Sequence, residues 1–244
     1  MTPRKCYVIC SNPRSGSNYL CREMERRGVF GQPGEYFNFF DTMFEYVHGL
    51  EARTMSSYVS GLFEHFSSPQ GVWGWKSFWL DFKFVHDLSG EFHRFKPLTH
   101  IYLDRDDHAE QAVSFAYAGA SNAWTSEHKQ IADLPYDRAA IDRCVEHLDF
   151  NRQQWEEYFT ANAIAPLRLE YRALTANVEP ILQRLATMLN VTLPPVEARA
   201  RGALTRQTET AKTEWLSRYR QELADAQAIA PAGPPPGTDQ NPSQ

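Results

Sequence analysis

The sequence predicts an α/β protein, a three-layer sandwich in which helices cover both faces of a central parallel sheet of four or five strands. Two observations predict this fold class. Short β-branched or aromatic runs, ended by polar or turn residues, alternate along the chain with longer segments of helical periodicity. The 244 residues, of which 42% are hydrophobic, are enough to build one large domain around a substantial core.

The predicted elements follow one another in a regular alternation. Strands are predicted at residues 7–10, 71–78, 99–105 and 166–171. Helices are predicted at residues 17–28, 43–66, 79–88, 107–119, 136–163, 177–190 and 213–229. Gly28 and Gly119 stand at two of the predicted helix ends, where a glycine favours termination. The tail of residues 230–244 is too rich in Pro and Gly to pack, so residues 1–229 are predicted to form a single domain and 230–244 a disordered tail.

The composition excludes several classes of protein. A formal net charge of −5 argues against an extended nucleic-acid surface, because binding to the phosphate backbone favours a basic patch. A membrane-spanning helix needs about 18 consecutive apolar residues, and no stretch approaches that length. The first residues lack the apolar core of a signal peptide. Cys6 and Cys10 lie roughly 13 Å apart on a predicted strand, too far for a disulfide. These features predict a cytoplasmic protein without an integral membrane segment and without a nucleic-acid partner.

The first predicted strand runs into the stretch SNPRSGSNYL, residues 11–20, which is typical of a strand end, a tight loop and a helix start. Such a loop exposes backbone N–H groups beside the positive end of a helix dipole, and Arg14 adds a full charge. We therefore expect this anion loop, residues 11–18, to bind an anion. It lacks the first Gly and the Gly-Lys pair of a Walker phosphate loop, so it does not specify a nucleoside triphosphate with magnesium.

Two further polar groups are predicted near the anion loop. The carboxyl ends of parallel strands meet at one edge of a sheet, where ligands of this fold class bind. Lys76 and Ser77 end the second predicted strand, and Arg105 ends the third. Taken alone, an arginine just past a strand is more often a solvated surface charge.

The chain resembles bacterial sulfotransferases of the trehalose 2-sulfotransferase type, whose first loop carries an R-S-G-S-[TS] element. The resemblance extends in order through most of residues 7–223. It is carried by RSGSN at 14–18, GQPGEYF at 31–37, GVWGWK at 71–76, the stretch from Arg105 to Phe115 and the segment from Arg206 to Arg220. It implies a P-loop-like sulfotransferase fold and an enzyme that uses 3′-phosphoadenosine 5′-phosphosulfate (PAPS) without a metal.

The resemblance also implies the residues that hold PAPS. In the family the first loop holds the 5′-phosphosulfate, and its counterparts here are Arg14, Ser15, Gly16, Ser17 and Asn18. The arginine after the third strand and a serine on the next helix hold the 3′-phosphate, which implies Arg105 and Ser114. Arg206 and Gln207 match a segment that closes over the nucleotide. Arg105 is followed by Asp106 and Asp107, whose carboxylates would repel a phosphate unless they point away.

Glu35 matches the acidic residue that the family uses as its proposed general base. Sulfuryl transfer needs a proton acceptor for the attacking hydroxyl and donors around the equatorial oxygens, so the predicted catalytic residues are Glu35 and Arg14. From the residues alone, Glu35 would more often be a loop carboxylate in water. We expect burial among the aromatic residues between 36 and 40 to raise its pKa.

The predicted function is transfer of a sulfuryl group from PAPS to a hydroxyl of a carbohydrate or glycolipid. Residues 41–70, where the family has most of its acceptor pocket, show no match, so trehalose itself is not predicted. Trp73, Trp75 and Trp79 are expected in the core, and Trp124 is expected as an exposed platform for a sugar ring. Family members are often dimeric, so the resemblance allows for a homodimer.

Two alternatives stay open. A P-loop kinase or nucleotide hydrolase would share the topology, although the missing Gly-Lys pair counts against it. A non-catalytic nucleotide-binding module would keep the anion loop but make no use of Glu35.

Overall fold

The central sheet is parallel and lies between two layers of helices. The computed structural model describes residues 3–122, 124, 134–194 and 210–229. The strands are β1 (Lys5–Ser11), β2 (Val72–Ser77), β3 (Leu98–Asp104) and β4 (Leu167–Glu170). Their order is β2-β1-β3-β4, and each pair of neighbours is parallel. The predicted α/β fold with a parallel sheet is confirmed, with four strands among the described residues.

The helices follow the predicted alternation with three differences. They are α1 (Ser17–Arg26), α2 (Met43–Gly49), α3 (Met55–Phe66), α4 (Trp79–Asp87), α5 (His108–Ser121), α6 (Arg138–Ala161), α7 (Tyr171–Ala176), α8 (Glu179–Met188) and α9 (Thr210–Ile229). The predicted 43–66 helix is two helices, because Glu51 has a left-handed backbone and a capping box between Thr54 and Ser57 starts α3. The short helix α7 was not predicted.

The prediction that Gly119 ends its helix is wrong. Helix α5 continues through Gly119 and ends at Ser121, and Asn122 follows in the left-handed conformation with φ of 53°. A glycine inside a helix costs about 1 kcal/mol, which tertiary packing easily offsets. Asn also adopts the left-handed conformation, so it provides the helix end two residues later.

The two faces of the sheet bury different side chains. On β1, Val8 and Cys10 face an aromatic layer formed with α3, α4 and α6, whereas Tyr7 and Ile9 face α1 and α8. The alternation follows from the two-residue period of a strand. Gly74 of β2 pairs with Tyr7, and a Cβ on Gly74 would lie 2.3 Å from the Tyr7 ring, so only glycine fits there.

The aromatic layer contains the tryptophans that were expected in the core. Trp73 and Trp75 are fully buried and Trp79 nearly so. Trp73 and Trp75 stack on one another with ring centroids 5.3 Å apart, and Trp79 meets Trp155 of α6 edge to face. The expectation for these residues is therefore confirmed.

A third cluster joins α5, α6 and α9 beside the sheet. Trp215 and Tyr219 of α9 are buried there against Tyr117 of α5 and Ile141 of α6. The Tyr219 hydroxyl donates to Asp142 of α6 at 2.8 Å. These contacts pack α9 against α5 and α6, and the predicted disordered tail at 230–244 lies outside the described residues.

The cysteines are free thiols, as the spacing predicts for Cys6 and Cys10. Burial raises the pKa of the Cys6 thiol to about 12, so it stays protonated and unreactive at neutral pH. In the described ranges, no helix combines the length and the apolar content that crossing a bilayer requires.

Candidate active site

The anion loop joins β1 to α1 through two residues with left-handed backbones. Arg14 has φ of 63° and Gly16 has φ of 86°. Two features require glycine at position 16. Its backbone is left-handed, and a Cβ there would lie 2.8 Å from the Tyr171 ring. Helix α1 then begins without a side-chain N-cap and without an acidic residue in its first turn. Its positive end is therefore not neutralised by its own sequence.

Buried polar atoms without hydrogen-bond partners gather at this edge of the sheet, the carboxyl rim of β1, β2 and β3. Within the described residues they are Ser11 Oγ, both amide atoms of Asn12, Ser15 Oγ, Ser77 Oγ and Arg105 Nε. Most buried polar groups in folded proteins are hydrogen-bonded, so such a concentration indicates a place where a ligand or ordered water completes the bonding. The rim therefore fits a polar, anionic ligand.

The Arg14 side chain lies against α5. Its Nε donates to Ser114 Oγ at 3.1 Å, and its Nη1 donates to the carbonyl oxygen of Trp124 at 2.8 Å. The structure thus brings together Arg14 and Ser114, two of the predicted nucleotide-binding residues. Trp124 is 42% exposed beside them, which agrees with its expected exposure.

Arg105 is buried beneath the anion loop. Its Nη1 donates to the Arg14 carbonyl at 3.3 Å, its Nη2 pairs with Glu110 at 2.7 Å, and its guanidinium lies over the Tyr171 ring at 4.3 Å. These contacts exclude the solvated surface arginine that the residue alone suggested. The Nε atom of Arg105 has no hydrogen-bond partner, although the same side chain supports the anion loop through Nη1.

Asp106 and Asp107 are both paired with arginines. Asp106 lies 3.1 Å from Arg172, and Asp107 lies 2.6 Å from Arg220. Asp107 also caps α5 by accepting the Glu110 N–H at 2.9 Å. Burial acts to raise the pKa of Asp107, but the hydrogen bonds from Glu110 and Arg220 outweigh it and lower that pKa. The helix cap and the two ion pairs therefore offset the negative charges of Asp106 and Asp107, which would otherwise repel a phosphate bound beside Arg105.

Lys76 connects Glu35 to the anion loop. Its ammonium group is almost fully buried, donates to Asn18 Oδ1 at 2.5 Å and forms an ion pair with Glu35. The Lys76 N–H also donates to the Gly34 carbonyl at 2.9 Å, which fastens the Glu35 segment to the end of β2. The sequence placed Lys76 at the rim but did not assign it to the site. Its signal was a lysine near the end of a strand, directly after the residues VWGW and before Ser77.

The expected rise in the pKa of Glu35 is wrong. Burial does act to raise it, but the charge of Lys76 and hydrogen bonds from Lys76 and Asn38 outweigh burial and lower the pKa of Glu35. Phe40 contributes nothing to this burial because it is 92% exposed. The carboxylate is therefore ionised at neutral pH, the state in which it can accept a proton.

Asp81 is a second carboxyl group near Glu35, and the sequence did not indicate it as a site residue. It lies in the first turn of α4 and is buried. Burial, then the charge of Glu35, raises the pKa of Asp81 to about 7, although a backbone hydrogen bond from Phe39 and the charge of Lys76 act against this rise. No local pattern distinguishes Asp81 from an ordinary acidic residue in a first helical turn.

Arg206 and Gln207 lie outside the described residues, so their placement beside the nucleotide stays a prediction. Within the described part of the chain, no three His, Cys, Asp or Glu side chains come together as metal ligands.

Comparison with known proteins shows what the chain is similar to. The model of the Stf0 sulphotransferase family matches residues 6–222. The trehalose 2-sulfotransferases of Mycolicibacterium smegmatis and Mycobacterium tuberculosis are each 24% identical to this chain, over 88% of it and 94% of each relative. A solved sulfotransferase from Alicyclobacillus acidocaldarius, 12% identical, covers 93% of this chain and 95% of its own with a TM-score of 0.47. Because the family model spans most of the sequence, this protein belongs to the Stf0 sulphotransferase family.

Proposed function

We propose that this sulfotransferase moves the sulfuryl group of PAPS to a hydroxyl of a carbohydrate or glycolipid, with Glu35 as the general base. The observation that carries the proposal is the chain of contacts from Glu35 through Lys76 to Asn18. It joins a carboxylate to the first turn of the helix that follows the anion loop. This arrangement suits a transfer enzyme, because the proton acceptor must lie close to the group that is transferred.

The described residues fit the donor. The anion loop (Arg14, Ser15, Gly16, Ser17, Asn18) would hold the phosphosulfate, and Arg105 with Ser114 would hold the 3′-phosphate. The unpaired buried donors at the carboxyl rim support this assignment, since a ligand with several anionic oxygens would accept hydrogen bonds from them. They are Asn12 Nδ2, Arg105 Nε and the hydroxyl groups of Ser11, Ser15 and Ser77. Arg206 and Gln207 lie outside the described residues and stay predicted donor-binding residues. When bound, the donor supplies the sulfuryl group and a nucleotide leaving group.

The chain supplies charge stabilisation and proton transfer. Arg14 and the loop amides would draw negative charge toward α1 without a metal ion, because fixed N–H donors act strongly where water is excluded. Glu35 would accept the proton of the attacking hydroxyl. Its pairing with Lys76 keeps Glu35 ionised before reaction, and the neighbouring ammonium group remains to balance the charge of the site afterwards.

The acceptor class rests on the relatives and on the rim. Both curated relatives are named for trehalose, a disaccharide, which supports a carbohydrate acceptor. Trp124, whose backbone carbonyl accepts from Arg14, is partly exposed, and its indole is suited to stacking on the apolar face of a sugar ring. The segment between Asp41 and Gln70 supplies α2 and α3 on the Glu35 side and would determine which sugar binds.

A thermal-shift comparison tests the donor assignment. The desulfated donor, 3′-phosphoadenosine 5′-phosphate, should raise the melting temperature at concentrations where ATP with magnesium does not. The opposite order would favour a kinase or nucleotide hydrolase.

Transfer of labelled sulfate from PAPS to a panel of sugars and glycolipids then tests catalysis. Donor binding without transfer to cell-extract acceptors would favour a non-catalytic module.

A further inference from the structure

We propose that Gln111 and Arg152 are positioning residues that hold the anion loop in its binding conformation. They touch no part of the proposed substrates. They act on the carbonyl oxygen of Pro13 and so fix the backbone of Arg14. The proposal rests on the function proposed above only where donor binding is concerned.

The contacts form one continuous chain from α6 to the loop. Gln111 of α5 is fully buried, and its Nε2 donates to the Pro13 carbonyl at 2.7 Å. Its Oε1 accepts from Arg152 Nη2 of α6 at 2.5 Å. Arg152 Nε in turn lies 3.2 Å from both carboxylate oxygens of Asp104, the last residue of β3. Arg152 Nη1 donates to Asp149 at 2.7 Å. Each side-chain polar atom in this brace, defined as Asp104, Arg152 and Gln111, therefore has a partner.

The brace permits only one orientation of the Gln111 amide. A guanidinium can only donate hydrogen bonds, and a carbonyl oxygen can only accept them. Arg152 must therefore face the amide oxygen, which leaves the amide nitrogen for Pro13. Without Arg152, the buried amide would lose the partner that sets its orientation, and its oxygen could face the Pro13 carbonyl instead.

The backbone of Arg14 shows what the brace is for. A residue other than glycine in the left-handed region costs about 1–2 kcal/mol and persists only where its surroundings determine it. Here both neighbouring carbonyls are held, the Pro13 oxygen by Gln111 and the Arg14 oxygen by Arg105 at 3.3 Å. Fixing both peptide planes fixes the directions of the Arg14 and Ser15 N–H groups. A shift of about 1 Å in such groups can reduce catalysis a hundredfold.

Gln111→Glu is the sharpest test. The new carboxylate still accepts from Arg152 but cannot donate to Pro13, and it places an acceptor opposite the carbonyl oxygen. Gln153→Glu is the matched control, because Gln153 lies on the exposed face of α6 and bonds only Glu157 at 2.7 Å among the described contacts. Arg152→Lys is a second variant, which keeps a cation for Asp104 but loses the fork that reaches Gln111.

Two readouts decide the proposal. In the ligand-free Gln111→Glu variant, amide hydrogen exchange should become faster in residues 12–18. Exchange in strands β1 and β3 should stay unchanged. The dissociation constant for 3′-phosphoadenosine 5′-phosphate should rise about tenfold or more, while the KM for the acceptor stays near that of wild type. Gln153→Glu should match wild type in both measurements.

Either of two results would overturn the proposal. One is unchanged exchange in residues 12–18 together with unchanged donor affinity. The other is faster exchange throughout the sheet, which would make the brace a general support of the fold. If Gln111→Glu does not fold, Arg152→Lys is judged by the same measurements. Failure of the wild-type protein to bind the nucleotide would refute the proposed function, and exchange in residues 12–18 would still decide the role of the brace.

Discussion

Lys76 is the residue on which the two halves of the candidate site depend. Its buried ammonium group would carry a large desolvation cost if it were unpaired, and Glu35 and Asn18 supply the compensating contacts. The same pairing keeps the Glu35 carboxylate charged inside a largely aromatic surrounding. The Lys76–Glu35 ion pair thus compensates for the burial of the ammonium group and keeps the proposed base ionised.

Replacement of Glu35 tests its proposed role directly. Glu35→Gln keeps the size of the side chain but cannot take a proton, so kcat should fall by about 10²–10⁴-fold. Binding of 3′-phosphoadenosine 5′-phosphate should be nearly unchanged. Glu45→Gln, an exposed carboxyl group on α2, is the matched control and should retain full turnover. Steady-state transfer assays with a titration of the nucleotide separate the two effects, and wild-type turnover in Glu35→Gln would exclude the assignment.

Asp81 makes stability depend on pH. Its pKa is raised to about 7 by burial and by Glu35, whereas an aspartate in the unfolded chain titrates near 3.9. Between about pH 4 and pH 7 the folded protein therefore binds more protons than the unfolded chain, so this group's contribution to the free energy of unfolding falls as pH rises and levels off above pH 7.

Asp81→Asn should remove this dependence. The amide oxygen still accepts the Phe39 N–H but cannot ionise, so the variant should be more stable than wild type at about pH 8. The advantage should shrink toward about pH 5. Chemical denaturation of both proteins at the two pH values measures the difference, and a constant gap would contradict the raised pKa.

At the scale of elements, the anion loop packs closely against α7. Gly16 touches the ring of Tyr171, and the same ring lies against the guanidinium of Arg105. Helix α7 thus supports the loop and the arginine together. Its sequence YRALTA is too short for helical periodicity to predict it, which is why the sequence analysis missed it.

Substitution of Gly16 should disturb this junction. Gly16→Ala combines an unfavourable backbone at φ of 86° with a Cβ 2.8 Å from Tyr171. Gly28→Ala is the matched control. Gly28 is also left-handed, with φ of 68°, but no atom would lie within 4 Å of a Cβ added there. Gly28→Ala should cost only the backbone term of about 1–2 kcal/mol. Gly16→Ala should lower the melting temperature further and weaken nucleotide binding, and equal effects of the two variants would show that the Tyr171 contact is unimportant.

At the scale of the whole molecule, α9 completes the layer beside the anion loop. Its buried Trp215 and Tyr219 close the cluster over α5, and its Arg220 pairs with Asp107 at the start of α5. The carboxyl-terminal helix therefore acts on the same element that carries Ser114 and Gln111. The stability of the site and that of the third cluster are linked through α5.

Two truncations test this organisation. A chain that ends after Ile229 lacks only the predicted disordered tail and should melt as the full chain does. A chain that ends after residue 209 also lacks Trp215 and Tyr219, and loss of each buried aromatic should cost about 1.5–3 kcal/mol. Calorimetric melting compares the two, and equal melting temperatures would mean that α9 is not part of the cooperative domain.

The sequence by itself determined the fold class, the order of the four strands, the alternation of strands with helices, the position of the anion loop and the gathering of Lys76 and Arg105 at one edge of the sheet. Periodicity and turn residues are local, and the rule that parallel strands end at one edge is general. Only the tertiary structure decided which polar groups pair. Lys76 meets Asn18 across 58 positions of the chain and Gln111 meets Pro13 across 98, and the sign of the Glu35 pKa shift follows from such a contact. Distances of that kind are set by packing, and no local pattern contains them.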